Sequence, residues 1–144
     1  MKFLVMNGVN LNLTGKREKG VYGTRTLDEI NEKIADFCKG NGDCVDFYQS
    51  NIEGELVNKL HEVFLKKEYD GILLNAGAFT HYSYAIRDAI AAIDIPVAEV
   101  HISNVHARED FRKNSVLSEV CKGVVCGFGE GSYLAAIVGL KNGF

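Results

Sequence analysis

The sequence predicts an α/β protein built on a mainly parallel sheet, and three observations carry that expectation. Short runs rich in β-branched and aromatic residues alternate with helix-period segments from end to end. A polar loop follows each of those runs. The single proline, Pro96, stands at the opening of a run, where its missing N–H costs little.

Taken in order, the strands are expected at "KFLVMN" (2–7), "CVDFYQ" (44–49), "GILLN" (71–75), "PVAEVHI" (96–102) and "GVVCGF" (123–128). The first helix opens at Thr26. There Thr-Leu-Asp-Glu forms a capping box, with Glu29 reaching back, and the apolar face is Leu27, Ile30, Ile34 and Phe37. A second helix carries Leu56, Leu60, Val63 and Phe64, and a third Ala85, Ile86, Ala89, Ile90 and Ile93. The last carries Leu134, Ile137, Val138 and Leu140. No repeat, low-complexity segment or linker interrupts this order, so residues 1–144 are expected to form one domain, long enough to bury roughly two thirds of its unfolded surface. Five strand–helix units point to a flavodoxin-like, doubly wound, five-stranded parallel sheet, in which ligands lie outside the carboxyl ends of the strands.

Composition narrows the partners. A net charge of -3 leaves no cationic excess for a phosphate backbone, so nucleic acid is not expected. No apolar run approaches the eighteen or so residues of a membrane span, and Met1 to Met6 is too short for a signal-peptide core. A cytoplasmic location with no membrane contact is expected. Cys38, Cys44, Cys121 and Cys126 form no C-x-x-C pair, and are expected to be small buried hydrophobes rather than zinc ligands.

The loops after the strands read "NGVNLNLTGKREKGVYG", "QSNIEGE", "NAGAFTHYS", "HISNVHAREDFR" and "GFGEGS". They hold a dense set of amides, histidines and arginines on one expected edge. Glu99, His101 and Ser103 alternate along and beyond the fourth strand, which puts them on one face. A response-regulator receiver would need acids where Asn7, Asn10, Asn12 and Asn75 stand. A flavin module would want a hydroxyl-rich phosphate loop where only Thr14 occurs. A metallohydrolase built from His81, Glu99, His101 and His106 has suitable ligand types but no metal-binding spacing. The metallohydrolase stays as the runner-up, a polar pocket that only holds a sugar-like acid is carried beside it, and an acid–base pair would distinguish an enzyme from that pocket.

Four stretches, "NGVNLNLTGKREKGVYG", "QSNIEGELVNKLHE", "NAGAFTHYSYAIRDA" and "EVHISNVHAREDFRKNS", together resemble the type II 3-dehydroquinate dehydratases of the shikimate and quinate pathways. The resemblance covers nearly the whole chain in order, and the His-x-Ser-Asn-x-His-Ala-Arg-Glu stretch is its strongest signature. Val9 and Lys19 stand where proline is usual or frequent, and Ile52 where histidine is common. The resemblance implies an anti elimination of water from 3-dehydroquinate through an enolate, with no cofactor and no metal. It implies Tyr22 as the base, Arg17 as its cationic neighbour, with Arg108 a second candidate, and Asn12 as the group steadying the enolate. His101, oriented by Glu99, is implied as the acid. Asn75, His81 and Arg112 would hold ring hydroxyls, and the backbone at Ile102 and Ser103 would bind the carboxylate. Asp88 would come from a neighbouring subunit of a homo-oligomer, a dodecamer built from trimers.

Elementary energetics agree with that cast. Lowering a phenol by about three pKa units requires about 4 kcal/mol. A guanidinium about 4 Å away in a partly buried site supplies about that much without giving up its own proton.

Overall fold

The computed structural model describes residues 1–16, 20 and 23–143. Its five strands are β1 (Lys2–Asn7), β2 (Cys44–Gln49), β3 (Gly71–Asn75), β4 (Val97–His101) and β5 (Gly123–Cys126). All pair in parallel, in the order β2-β1-β3-β4-β5. Among the described residues the helices α1 (Leu27–Gly40), α2 (Glu53–Lys66), α3 (Tyr84–Ala92) and α4 (Gly131–Asn142) connect and flank them. The doubly wound parallel sheet expected from the sequence is therefore the fold. The strand order turns between β1 and β3, which opens a crevice at their carboxyl ends.

Each strand sorts its side chains by parity. Leu4 and Met6 of β1 join Ile72 and Leu74 of β3 under α2 and α3, with Leu56, Leu60, Val63, Ile86 and Ile90. Phe3, Val5, Leu73, Ala98 and Val100 face the opposite layer, where α1 and α4 contribute Ile30, Ile34, Ala136, Ile137 and Leu140. β1, β3 and β4 are covered on both faces, so β1 and β3 read as nearly continuous apolar runs, while β4 buries Glu99 and His101 among its apolar residues. β2 and β5 are edge strands and stay half exposed.

The start of α1 follows its sequence signal. The Glu29 N–H donates to Thr26 Oγ1 at 3.3 Å, and Glu29 Oε2 accepts from the Thr26 N–H at 2.7 Å. Elsewhere the helical faces differ from expectation. Ala85 is exposed, and Ile93 lies one residue beyond α3 and is half-buried. In α4, Val138 faces solvent and the buried stripe is Ser132, Tyr133, Ala136, Ile137 and Leu140. A helix this apolar all round has no clear amphipathic phase, so its buried side is chosen by the sheet beneath it.

The fourth strand begins after Pro96 and ends at His101 rather than at residue 102. The fifth stops at Cys126 because Gly127 turns the chain at φ 93° against the Asn104 side chain, leaving Phe128 exposed. Cys38 is buried as expected, but Cys44 is exposed on the edge strand, and Cys121 and Cys126 are half-buried. Among the described residues no helix is long and apolar enough to cross a membrane.

Candidate active site

Asn7 of β1 and Asn75 of β3 sit in register at the carboxyl edge of the sheet. Both are buried, and Tyr133 of α4 rises between them. Its hydroxyl donates to Asn7 Oδ1 at 2.6 Å and accepts from Asn75 Nδ2 at 2.9 Å. Burial pushes this phenol well above its ordinary range, so it stays neutral and serves as a fixed link. Asn75 Oδ1 in turn accepts the Gly77 N–H at 3.2 Å. Gly77 is at φ 62°, where an added Cβ would lie 2.7 Å from the Val9 carbonyl oxygen. Only glycine lets the β1 and β3 loops come this close.

The short helical turn Gly77–His81 then delivers His81 to the edge of a pocket above the strand ends. His81 Nδ1 lies 2.8 Å from the Asn114 carbonyl, which can only accept, so Nδ1 carries the proton and Nε2 keeps its lone pair. Burial lowers the proton affinity of this ring, which favours the neutral form. Phe111 packs edge-on against it at 5.6 Å.

β4 supplies the second half of the site. Glu99 is 1% exposed, and His101 lies next to it on the same face. His101 Nε2 is 2.6 Å from Glu99 Oε1. Burial raises the proton affinity of Glu99, but the hydrogen bonds from His101, Ser118 and Ser115 outweigh it, and the carboxyl lies below its usual range. As an ionised acceptor it requires Nε2 to donate, which leaves Nδ1 as the nitrogen able to exchange a proton with a bound molecule.

Beyond β4, Ile102 and Ser103 form the next part of the wall. Arg108 donates to Ser103 Oγ at 3.2 Å, while Arg112 is held by Glu109 and lies 4.7 Å above the Phe111 ring. The pocket gathers Asn75, His81, His101, Ile102, Ser103 and both arginines. Amide, imidazole and guanidinium groups of this kind suit a small anionic, hydroxyl-rich molecule. Among the described residues no group of three or more His, Cys, Asp or Glu is placed to hold a metal ion.

Not every expected residue reaches this pocket. Asn12 is exposed and lines a neighbouring cleft with Lys16, Thr26 and Gln49. The amide on the pocket wall from this loop is Asn10. Asn10 stands at φ 66° ahead of the turn Leu11–Leu13, and its N–H is tied to Asn51 Oδ1 at 2.9 Å. Left-handed backbone is a conformation asparagine tolerates better than most residues, and that was the available signal. Asp88 is exposed on α3 beside Arg87, at 3.2 Å, outside the pocket of its own chain. Arg17 and Tyr22 lie outside the described residues. Ser115, Ser118 and Tyr133 were not foreseen, because nothing local in the sequence marks a hydroxyl that serves a strand far away in the chain.

The family described as "Dehydroquinase class II" matches residues 1–141. A Clostridium beijerinckii protein named 3-dehydroquinate dehydratase is 52% identical over 141 residues, covering 98% of this chain and 96% of that one. A Thermotoga neapolitana protein of the same name is 50% identical, with 95% and 92% covered. The crystal structure of type II dehydroquinase from Butyrivibrio crossotus superimposes with a TM-score of 0.96 at 47% identity, covering 99% of this chain and 98% of that one. That of type II dehydroquinase from Propionibacterium acnes gives 0.91 at 34% identity, with 96% and 94% covered.

Proposed function

Since the chain belongs to the class II dehydroquinase family, we propose that it removes water from 3-dehydroquinate to give 3-dehydroshikimate, by an anti elimination through an enolate. The observation that carries this most directly is His101, held from behind by Glu99, on the wall of a pocket rich in amides and guanidinium groups.

The steps follow from the chemistry of the side chains. Tyr22, as phenolate beside Arg17, takes the proton from the carbon next to the ketone. The electron pair of that C–H bond moves onto the carbonyl oxygen, and an amide donor steadies the enolate. The pocket favours Asn10 for that role in place of Asn12. The enolate then collapses and expels the hydroxyl, which leaves as water with a proton from His101. Positioned acid–base groups each contribute about 10²- to 10⁴-fold, and a donor aimed at the oxyanion a comparable amount. Asn75, His81 and Arg112 hold the ring hydroxyls, and the backbone at Ile102 and Ser103 receives the carboxylate. Asp88, directed outward on α3, completes the pocket of a neighbouring chain in a dodecamer built from trimers.

Incubation with 3-dehydroquinate, followed by the ultraviolet absorbance of the conjugated enone, tests the reaction. Tyr22→Phe should then abolish most turnover and keep substrate affinity, the pattern of an interaction specific to the transition state. Absence of the enone from wild-type protein overturns the activity, and near-normal turnover in Tyr22→Phe removes that residue as base.

A further inference from the structure

We propose that Ser118, seated by Ser115, is a positioning residue that holds the proton of the Glu99–His101 pair on the imidazole; this rests on the dehydratase activity proposed above. Glu99 is buried in the middle of the sheet, and among the described residues no lysine or arginine forms an ion pair with it. Its Oε1 takes His101, and its Oε2 accepts two hydroxyls, Ser118 Oγ at 2.6 Å and Ser115 Oγ at 2.9 Å.

Along the bond between Glu99 and His101 the proton has two resting places. With carboxylate and imidazolium, Nδ1–H is an acid able to protonate a leaving hydroxyl. With carboxylic acid and neutral imidazole it is not. Burial of an isolated carboxylate favours the second state. Hydrogen bonds to an ionised acceptor are about twice as strong as those to a neutral one, so each hydroxyl on Oε2 favours the first.

The two serines differ in what else they do. Ser115 Oγ also accepts the N–H groups of Leu117 at 3.1 Å and Ser118 at 3.0 Å, and so builds the turn itself. The Ser118 hydroxyl is directed at Glu99, which makes Ser118 the cleaner position to change. The other titratable or charged groups around the pair are His81, His106, Arg108, Arg112, Lys113 and Cys121. Substitution of Ser118 leaves all of them in place.

Ser118→Ala should lower kcat about tenfold, the scale of one hydrogen bond to a charged group, with KM within about twofold of wild type. Loss of the donor raises the proton affinity of the pair, so the alkaline limb of the kcat profile should move up by about one pH unit while the acid limb stays put. Ser118→Thr keeps the hydroxyl and should restore both. In a Glu99→Gln background the added Ser118→Ala should cost nothing further, which a merely structural role would not produce. Nuclear magnetic resonance titration of the His101 ring in substrate-free protein should show the same upward shift. An unchanged titration, or the same loss with and without Glu99, overturns the inference. Because the titration needs no turnover, it still decides the serine's role if wild-type protein fails to convert 3-dehydroquinate.

Discussion

The Tyr133 hydroxyl lies 2.9 Å from the Asn75 side-chain amide, and this contact orients the amide at the base of the pocket. One Nδ2 N–H points to the phenol and Oδ1 takes the Gly77 N–H, so the amide's orientation is set before any ligand arrives and its second N–H is left for one. Helix α4 thereby sets the orientation of a strand-end residue 58 positions away in sequence.

Tyr133→Phe removes that link and strands Asn7 Oδ1 and Asn75 Nδ2 in a buried site. The expected loss is about 1–3 kcal/mol of stability, or several degrees in Tm for a domain of this size, with a rise in KM as the amide loses its fixed orientation. Thermal unfolding and steady-state kinetics check both. A variant with unaltered Tm and KM would show that the phenol does neither job.

Asn10 and Asn12 can be told apart by substitution. Asn10→Ala should cost about 10²-fold or more in kcat, as expected for loss of a donor to an oxyanion, while Asn12→Ala should cost much less. The reverse ranking would return the role to Asn12 and mean that the pocket wall changes when substrate binds.

Glu99 also makes stability depend on pH. Its carboxyl lies below the usual 4.5 despite burial, because His101, Ser118 and Ser115 hold the ionised form. A depressed folded value contributes stability that is fully present above about pH 4.5 and is lost as pH falls through that lower value. Glu99→Gln should therefore be less stable than wild type at neutral pH and show a flatter decline below pH 4.5. Urea midpoints measured across this range check it, and parallel declines in the two proteins would contradict it.

The exposed Asp88 is expected to act in a partner's pocket. Tyr22→Phe chains mixed with Asp88→Ala chains, each inactive alone, should then recover part of the activity, because a mixed interface assembles one intact site. Sedimentation should show a closed assembly far heavier than the 15.9 kDa chain. A fully active monomer, or no recovery among chains shown to have exchanged, excludes the shared site.

The sequence by itself determined the elements and the edge on which the chemistry gathers. Alternation in β4 placed Glu99 and His101 together, the Thr26–Glu29 box opened α1, and the loop after β3 announced Asn75 and His81, because each signal acts over two to four residues. Tertiary structure decided what depends on distant partners or on a single dihedral. Asn10 rather than Asn12 meets the pocket because one left-handed residue turns the loop there. Tyr133 is buried, and Val138 exposed, because the sheet selects the buried side of a helix apolar all round. Ser115 and Ser118 gain their meaning only from the buried carboxylate that β4 holds 16 and 19 residues earlier in the chain, since an isolated serine carries no record of the charge it will face.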